Sequence, residues 1–347
     1  RSEGFVVERG PDSFISQKPA AIQLCQQLGI GDRLVGTNPG APSTYVYTGG
    51  KLLTMPDGLS LMIPTKFLPF AFTPLFSLTG KIRMAFDLLI PKKVGEADES
   101  LASFVRRRMG EEALRKMAEP MLAGIYASDP ETMSIGSTFP MFVETERKYR
   151  SLILGMLARK KAMLLNASKR PASNHTLFMT LKNGLGEMVE AVIKKSPDIQ
   201  FKSEARVESI SRSEGDWLVN LEGGGEYKAE ALILATPGSI TAQLLQPVAP
   251  DAAEILKQIK YVSTATVTLA YKKEGFSHAL DGFGFVVPKC EGRSILACTW
   301  TSSKFPHRAP EGYVMIRCYL GGALQEEIAE KDESTLITLV RQDLKEI

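Results

Sequence analysis

Hydrophobic and polar positions along this chain change period several times, and each change marks an element. Phe5 to Val7 are a short apolar run that reads as a strand. Gly10-Pro11-Asp12-Ser13 reads as the turn leaving it, because proline presets φ and aspartate can bond the backbone that follows. Ser16 is placed to cap a helix with Pro19 in its first turn, Ile22, Leu24, Cys25 and Leu28 on or near its buried side, and Gly29 at its end. From Thr44 to Pro56, TYVYTGGKLLTMP has the aromatic and β-branched pattern of a hairpin that turns at Gly49-Gly50.

The pattern then loses its period of two. Residues 57 to 121 read as helical and irregular, first dense in Phe, Leu and Pro, then amphipathic through DESLASFVRRRMGEEALRKMAEPML, where Asp98 or Ser100 can cap. LKNGLGEMVEAVIKK is a Gly-rich entry to a helix with Leu185, Met188, Val189, Val192 and Ile193 facing inward. Strands are expected near 199–202, 205–211 and 217–221. AEALILATPGS adds an almost wholly apolar strand, the pattern of one covered on both faces. Beyond it, TATVTLAYK, GFGFVVP, SILACTW and YVMIRCYLGG read as strands, interrupted by helical ALQEEIAEK. The fold class is α/β, mixed with α+β, and 347 residues suggest two or three domains.

Composition narrows the function only a little. With 44% hydrophobic and 23% charged residues the chain is an ordinary globular one, and a net charge of +3 without dense basic clusters argues against a nucleic-acid partner. The runs Arg106-Arg107-Arg108 and Arg159-Lys160-Lys161 read as solvated helix faces. Four cysteines without a C-x-x-C pair, and three histidines, give no metal site and suggest reduced thiols in a cytoplasmic protein. No apolar run reaches membrane-spanning length before Pro, Lys or Arg breaks it. There is no G-x-G-x-x-G, Walker loop or H-E-x-x-H, and no acid, base or metal set that need act as principal catalyst.

Order and content of longer segments say more. EGFVVERGPDSF, GGKLLTMP, AGIYASDPETMSI, FPMFVETERKYRSLILGML, LKNGLGEMVEAV, ARVESI, LILATPG, GFGFVVP and FPHRAPEGYVMIRCYLGG stand in the order found in one flavoenzyme family. The chain resembles the oxygen-dependent protoporphyrinogen oxidases, over nearly its whole length. The resemblance implies FAD as cofactor and oxidation of protoporphyrinogen IX to protoporphyrin IX in three two-electron steps, with O2 as acceptor, in haem biosynthesis. It leaves open two alternatives: coproporphyrinogen III as substrate, and a porphyrinogen-binding fragment without turnover. In the family a glycine-fingerprint βαβ unit comes before the position of Arg1 and a flavin-contacting segment after that of Ile347, so a fragment clipped at both ends is expected, lacking the helix N-terminus that holds the FAD pyrophosphate.

Carried over position by position, the resemblance puts Arg1, Gly10, Pro11, Asp12, Ser13, Val207, Ala235, Thr236 and Pro237 at the flavin. It puts Thr44, Phe283, Gly284, Val286, Thr299 and Tyr319 around the porphyrinogen. Thr44 departs from the pattern, since several members have there a basic residue that pairs with a substrate propionate; Lys51, Arg293 and Arg308 are the candidates to supply the charge instead. Implied domains are an incomplete Rossmann-like FAD domain (1–38 and 122–238), a sheet-containing substrate domain (39–50 and 239–347), and a helical insertion (51–121). The stretch from Leu61 to Pro91, apolar and rimmed by Lys66, Lys81 and Arg83, suggests peripheral contact with the inner face of the cell membrane. A homodimer is compatible with the resemblance.

Overall fold

The structure is a computed structural model that describes residues 3–40, 43–56, 59–60, 63–64, 67–95, 97–166, 175–274, 276 and 278–347. These fall into two compact units, Arg1–Ala191 with Val262–Ile347, and Val192–Tyr261.

A six-stranded sheet organises the first unit. Its strands are β1 (Ser43–Thr48), β2 (Lys51–Thr54), β3 (Thr264–Lys272), β4 (Gly282–Val286), β5 (Ile295–Thr299) and β6 (Tyr313–Gly321), in the spatial order β3-β6-β5-β4-β1-β2. Only β4 and β1 pair in parallel. Gly49 and Gly50 close the β1–β2 hairpin, both at positive φ (58° and 75°), as a two-residue turn of this hand requires. Alternation then divides the sheet. Tyr47, Phe285, Cys298, Ile316, Cys318 and Leu320 share one face with Val340 of the helix Glu333–Glu346. Val46, Val286, Thr299, Arg317 and Tyr319 lie on the other.

One irregularity changes which side chains reach that second face. Gly282 pairs with Ser43 but Gly284 with Thr44, so two residues of β4 oppose one of β1. A Cβ on Gly282 would meet the Tyr45 ring at 2.9 Å and Trp300 at 3.2 Å, which puts position 282 on the Tyr47 side. The extra residue of the bulge turns Phe283 to the side of Thr44 and Gly284. Phe283 is half-buried and belongs to neither apolar cluster.

Helices from Phe67 to Asn166 form a layer with its own core, including Leu75, Met84, Phe104, Met117, Leu122 and Phe142, and this core reaches Val46 and Val286 of the sheet. Ser100 caps Leu101–Arg108 by accepting from Ser103 N. Arg108, expected on a solvated face, is fully buried. Its guanidinium donates to Asp87 Oδ1 at 2.6 Å and to the carbonyls of Asp87, Ile90, Pro91 and Arg150. Asp87 Oδ2 accepts from Ser151 Oγ and Ile153 N. A buried charge persists when its partners satisfy it, and this pair ties three segments together.

Several local expectations fail. The residues 5–7 run makes only a bridge at Phe5, with Val6 N donating to Arg308 O at 2.9 Å, because a loop and not a strand lies beside it. The first helix, Ala20–Gln27, starts from Pro19 with no side-chain cap, so Ser16 plays no part, and Leu24 is exposed. The helix Gly186–Lys195 buries none of its residues, Val189 being 62% exposed.

The second unit holds an antiparallel meander, Val207–Ser213, Asp216–Leu221 and Glu226–Ala229, followed by helices Gly238–Leu245 and Pro250–Lys257. Residues 231–235 have no assigned secondary structure and pair with no strand among the described residues, and Ile233 is 90% exposed, so the expected doubly covered strand is absent here. Residues 199–202 likewise form no strand.

Candidate functional site

Side chains from distant segments hold the Gly10–Ser13 turn. Thr180 Oγ1 donates to Asp12 O at 2.8 Å, and Arg308 Nη2 donates both to that carbonyl (3.2 Å) and to Thr180 Oγ1 (2.6 Å). Arg308 is fully buried and spends Nη1 on Glu8 at 2.9 Å. Fixed in this way, the turn leaves Gly10 and Pro11 exposed, and nothing lies within 4 Å of a Cβ built on Gly10. Bareness, not an unusual φ, is what glycine contributes there.

Asp12 faces inward. Its Oδ1 accepts from Ser13 Oγ at 2.6 Å and from Lys304 Nζ at 3.3 Å, while Oδ2 is buried without a hydrogen-bond partner among the described residues. Burial pushes this carboxyl up, but Lys304, Ser13 and the nearby Arg317 outweigh it and hold it below the ordinary carboxylate range.

Asp12 meets the second face of the sheet, beside Arg317, where strand register sets out a row. Thr44 stands opposite Gly284, Gly284 opposite Thr299, Thr299 opposite Arg317, and Arg317 opposite Thr268. Five strands thus contribute one residue each to a straight line. Between Thr44 and Arg317, about 14 Å apart at about 4.8 Å per strand, the row carries only a glycine and a threonine, and this row is the candidate floor for a flat ligand. Phe283 stands beside Gly284 through the bulge, and Val286 lies at the end covered by the helical layer. Tyr319 hydrogen-bonds Thr299, with the Arg317 guanidinium 5.4 Å from its ring centre. Burial, and then the negative charge of Asp12, push the Tyr319 phenol up, so it stays a neutral donor at physiological pH.

The first unit therefore brings together Asp12, Ser13, Thr44, Phe283, Gly284, Thr299 and Tyr319, with Val286 at the margin. Val207, at the start of its strand, and the exposed Ala235, Thr236 and Pro237 belong to the second unit. Arg1 lies outside the described residues. Of the cations considered for Thr44's missing charge, Arg308 is committed to Glu8, Arg293 pairs with Glu346 and lies over Tyr47 on the opposite face, and Lys51 is exposed on the hairpin. Sequence reasoning missed Lys304 and Arg317. The second was within reach, since Arg317 stands two residues from Tyr319 and a strand puts both on one face.

A bare turn beside the second sheet face, with no catalytic triad and, among the described residues, no cluster able to hold a metal, suits a reaction whose chemistry comes from a bound organic cofactor. The model of the flavin containing amine oxidoreductases matches residues 1–347. The chain belongs to this family. It is an oxidoreductase with FAD as cofactor. It is 37% identical over its whole length to coproporphyrinogen III oxidase of Bacillus subtilis, spanning 73% of that protein. It is 29% identical over 99% of its length to chloroplastic protoporphyrinogen oxidase of Nicotiana tabacum, spanning 64%. A crystal structure from Exiguobacterium, assigned as a protoporphyrinogen oxidase, superposes with a TM-score of 0.84 at 31% identity, over all of this chain and 73% of that one.

The residues present fit such a cofactor. Exposed Gly10 and Pro11 offer a bare backbone edge to a flat ring.

Proposed function

We propose that this chain oxidises a porphyrinogen to the corresponding porphyrin, with the row of Thr44, Gly284, Thr299 and Arg317 as the floor on which the macrocycle lies. FAD supplies two-electron acceptance, and O2 is the proposed final acceptor. The protein's part is orientation: the short threonines leave room for a flat ring, Gly284, where any Cβ would strike Cys298 O, keeps the two strands close beneath it, Phe283 presents an aromatic face to it, and the neutral Tyr319 donates from the wall. The single observation that carries this reading is the cross-strand row, which brings residues from β1, β4, β5 and β6 into one line beside the flavin-side turn.

Protoporphyrinogen IX is the substrate expected from the sequence. Coproporphyrinogen III is favoured by one observation: the relatives of that name reach 37%, 32% and 31% identity, against 28–29% for protoporphyrinogen oxidases. Initial rates of porphyrin formation on the two substrates, measured side by side, test both the activity and the preference. A rate on coproporphyrinogen III no higher than on protoporphyrinogen IX removes the preference, and no porphyrin from either removes the activity.

Peripheral membrane contact, expected from sequence through Phe67, Phe70, Phe72, Leu75 and Phe76, is supported by Phe72 of that set and by further residues of the same stretch. Phe70, Leu75 and Phe76 are buried, whereas Phe72, Leu78, Ile82, Phe86 and Leu89 are exposed, and positions 78, 82, 86 and 89 follow one helix face. Of the expected rim, Lys81 and Arg83 are described, and Lys66 and Leu61 lie outside the described residues. Among the described residues no helix is long and apolar enough to cross a membrane.

A further inference from the structure

Arg317 is 4% exposed, yet no carboxylate lies within 4 Å of it among the described residues. Among the described residues its guanidinium makes one hydrogen bond, from Nη2 to Thr266 Oγ1 at 3.3 Å, and Nε is buried without a partner. The neighbouring charges do not cancel it. Lys304 is matched by Asp12 and Arg308 by Glu8, so Arg317 is the cation left over in this cluster. It shares a void of about 10 Å³ with Asp12, at the limit for one water and too small for a hydrated counter-ion. A guanidinium already removed from water and left unpaired is costly to keep, and it rewards any anion that reaches it.

Its position says which anion. Arg317 ends the Thr44–Gly284–Thr299 line, three strands from Thr44, and lies over Tyr319 in the same wall. A carboxylate carried on the rim of a flat macrocycle lying on that row would come to rest at this end, opposite Thr44, which has no charge to offer. We propose that Arg317 is the substrate-anchoring residue of this enzyme and pairs with a peripheral carboxylate of the porphyrinogen, setting its orientation and its preference for carboxylate-rich substrates. This rests on the reading of the row as the porphyrinogen site.

The test uses the FAD-loaded full-length protein with Arg317→Met and Arg317→Lys, and as probes coproporphyrinogen III and its tetramethyl ester. Arg317→Met should raise KM for the free acid by about tenfold or more, the loss of one charge-assisted contact. It should leave KM for the ester unchanged, and Arg317→Lys should recover part of the loss. Equal shifts on acid and ester would make Arg317 a structural residue and overturn the proposal. An unchanged KM with a lowered flavin midpoint potential would place the cation at the flavin and overturn it too. Turnover of neither probe by the unsubstituted protein would instead sink the porphyrinogen reading itself, an outcome separate from these.

Discussion

Asp12 and Lys304, 292 residues apart in sequence, join a carboxylate and an ammonium at 3.3 Å and so fasten the Gly10–Ser13 turn to the short helix Thr301–Lys304 that follows β5. The turn is thereby held against the end of the row by charge as well as by the neutral bonds from Thr180. Because the folded protein holds the Asp12 carboxyl below its ordinary range, the stabilisation is fully present above the unfolded pKa and is lost as pH falls through the folded one. Asp12→Asn should cost about 1–3 kcal/mol near neutral pH by leaving Lys304 unmatched. In denaturant melts at several pH values, the gap between the two proteins should shrink below about pH 4. A gap that stays constant down through that window would show that Asp12 acts through its hydrogen bonds alone.

Arg108 and Asp87 make a second prediction, on stability. Each is fully buried, and breaking such a pair from one side leaves an uncompensated charge. Arg108→Ala should destabilise the protein by about 3–5 kcal/mol, and the helical layer should lose amide protection before the sheet does. Hydrogen exchange followed by mass spectrometry reads both effects, and uniform loss across the chain would deny the pair its local role.

Phe283→Ala should reduce porphyrinogen turnover far more than FAD content. The bulge turns this ring toward the row instead of into either core, so its removal should leave the fold intact. Misplacing the reacting carbon by about 1 Å can cost roughly a hundredfold in rate, so kcat should fall along with a rise in KM. An early-melting variant that has lost its flavin would make Phe283 a packing residue.

The exposed stripe on the helical layer predicts membrane binding that depends on a few side chains. Replacing Ile82 and Phe86 together by Ser should move the protein from the floating to the soluble fraction in liposome flotation with anionic lipid. Equal distribution of the two proteins would assign the stripe to some other contact.

The strands of the large sheet were legible because alternation of apolar and polar residues reports a sheet face directly, and the Gly49-Gly50 hairpin and the Ser100 cap were legible because local chemistry decides them. The strand read in AEALILATPGS was not found, because a strand exists only where a neighbour pairs with it, and apolar content cannot show that. Arg108 looked like part of a solvated run, since the five acceptors that make its burial tolerable come from two other segments, Asp87 to Pro91 and Arg150. At the site, Asp12, Gly284, Thr299 and Tyr319 came from likeness to a family. The line that joins Thr44 to Arg317 depends on register across strands as much as 273 residues apart, with a bulge shifting the count by one, and no local pattern encodes that.

The claim that this chain is an FAD-dependent porphyrinogen oxidase is tested most directly by anaerobic mixing of the FAD-loaded protein with a porphyrinogen, watching the flavin's visible absorbance and the porphyrin Soret band together. The account predicts that the flavin bleaches as porphyrin appears, faster with coproporphyrinogen III than with protoporphyrinogen IX. A flavin that stays oxidised with both porphyrinogens but is reduced by an aliphatic amine would contradict it.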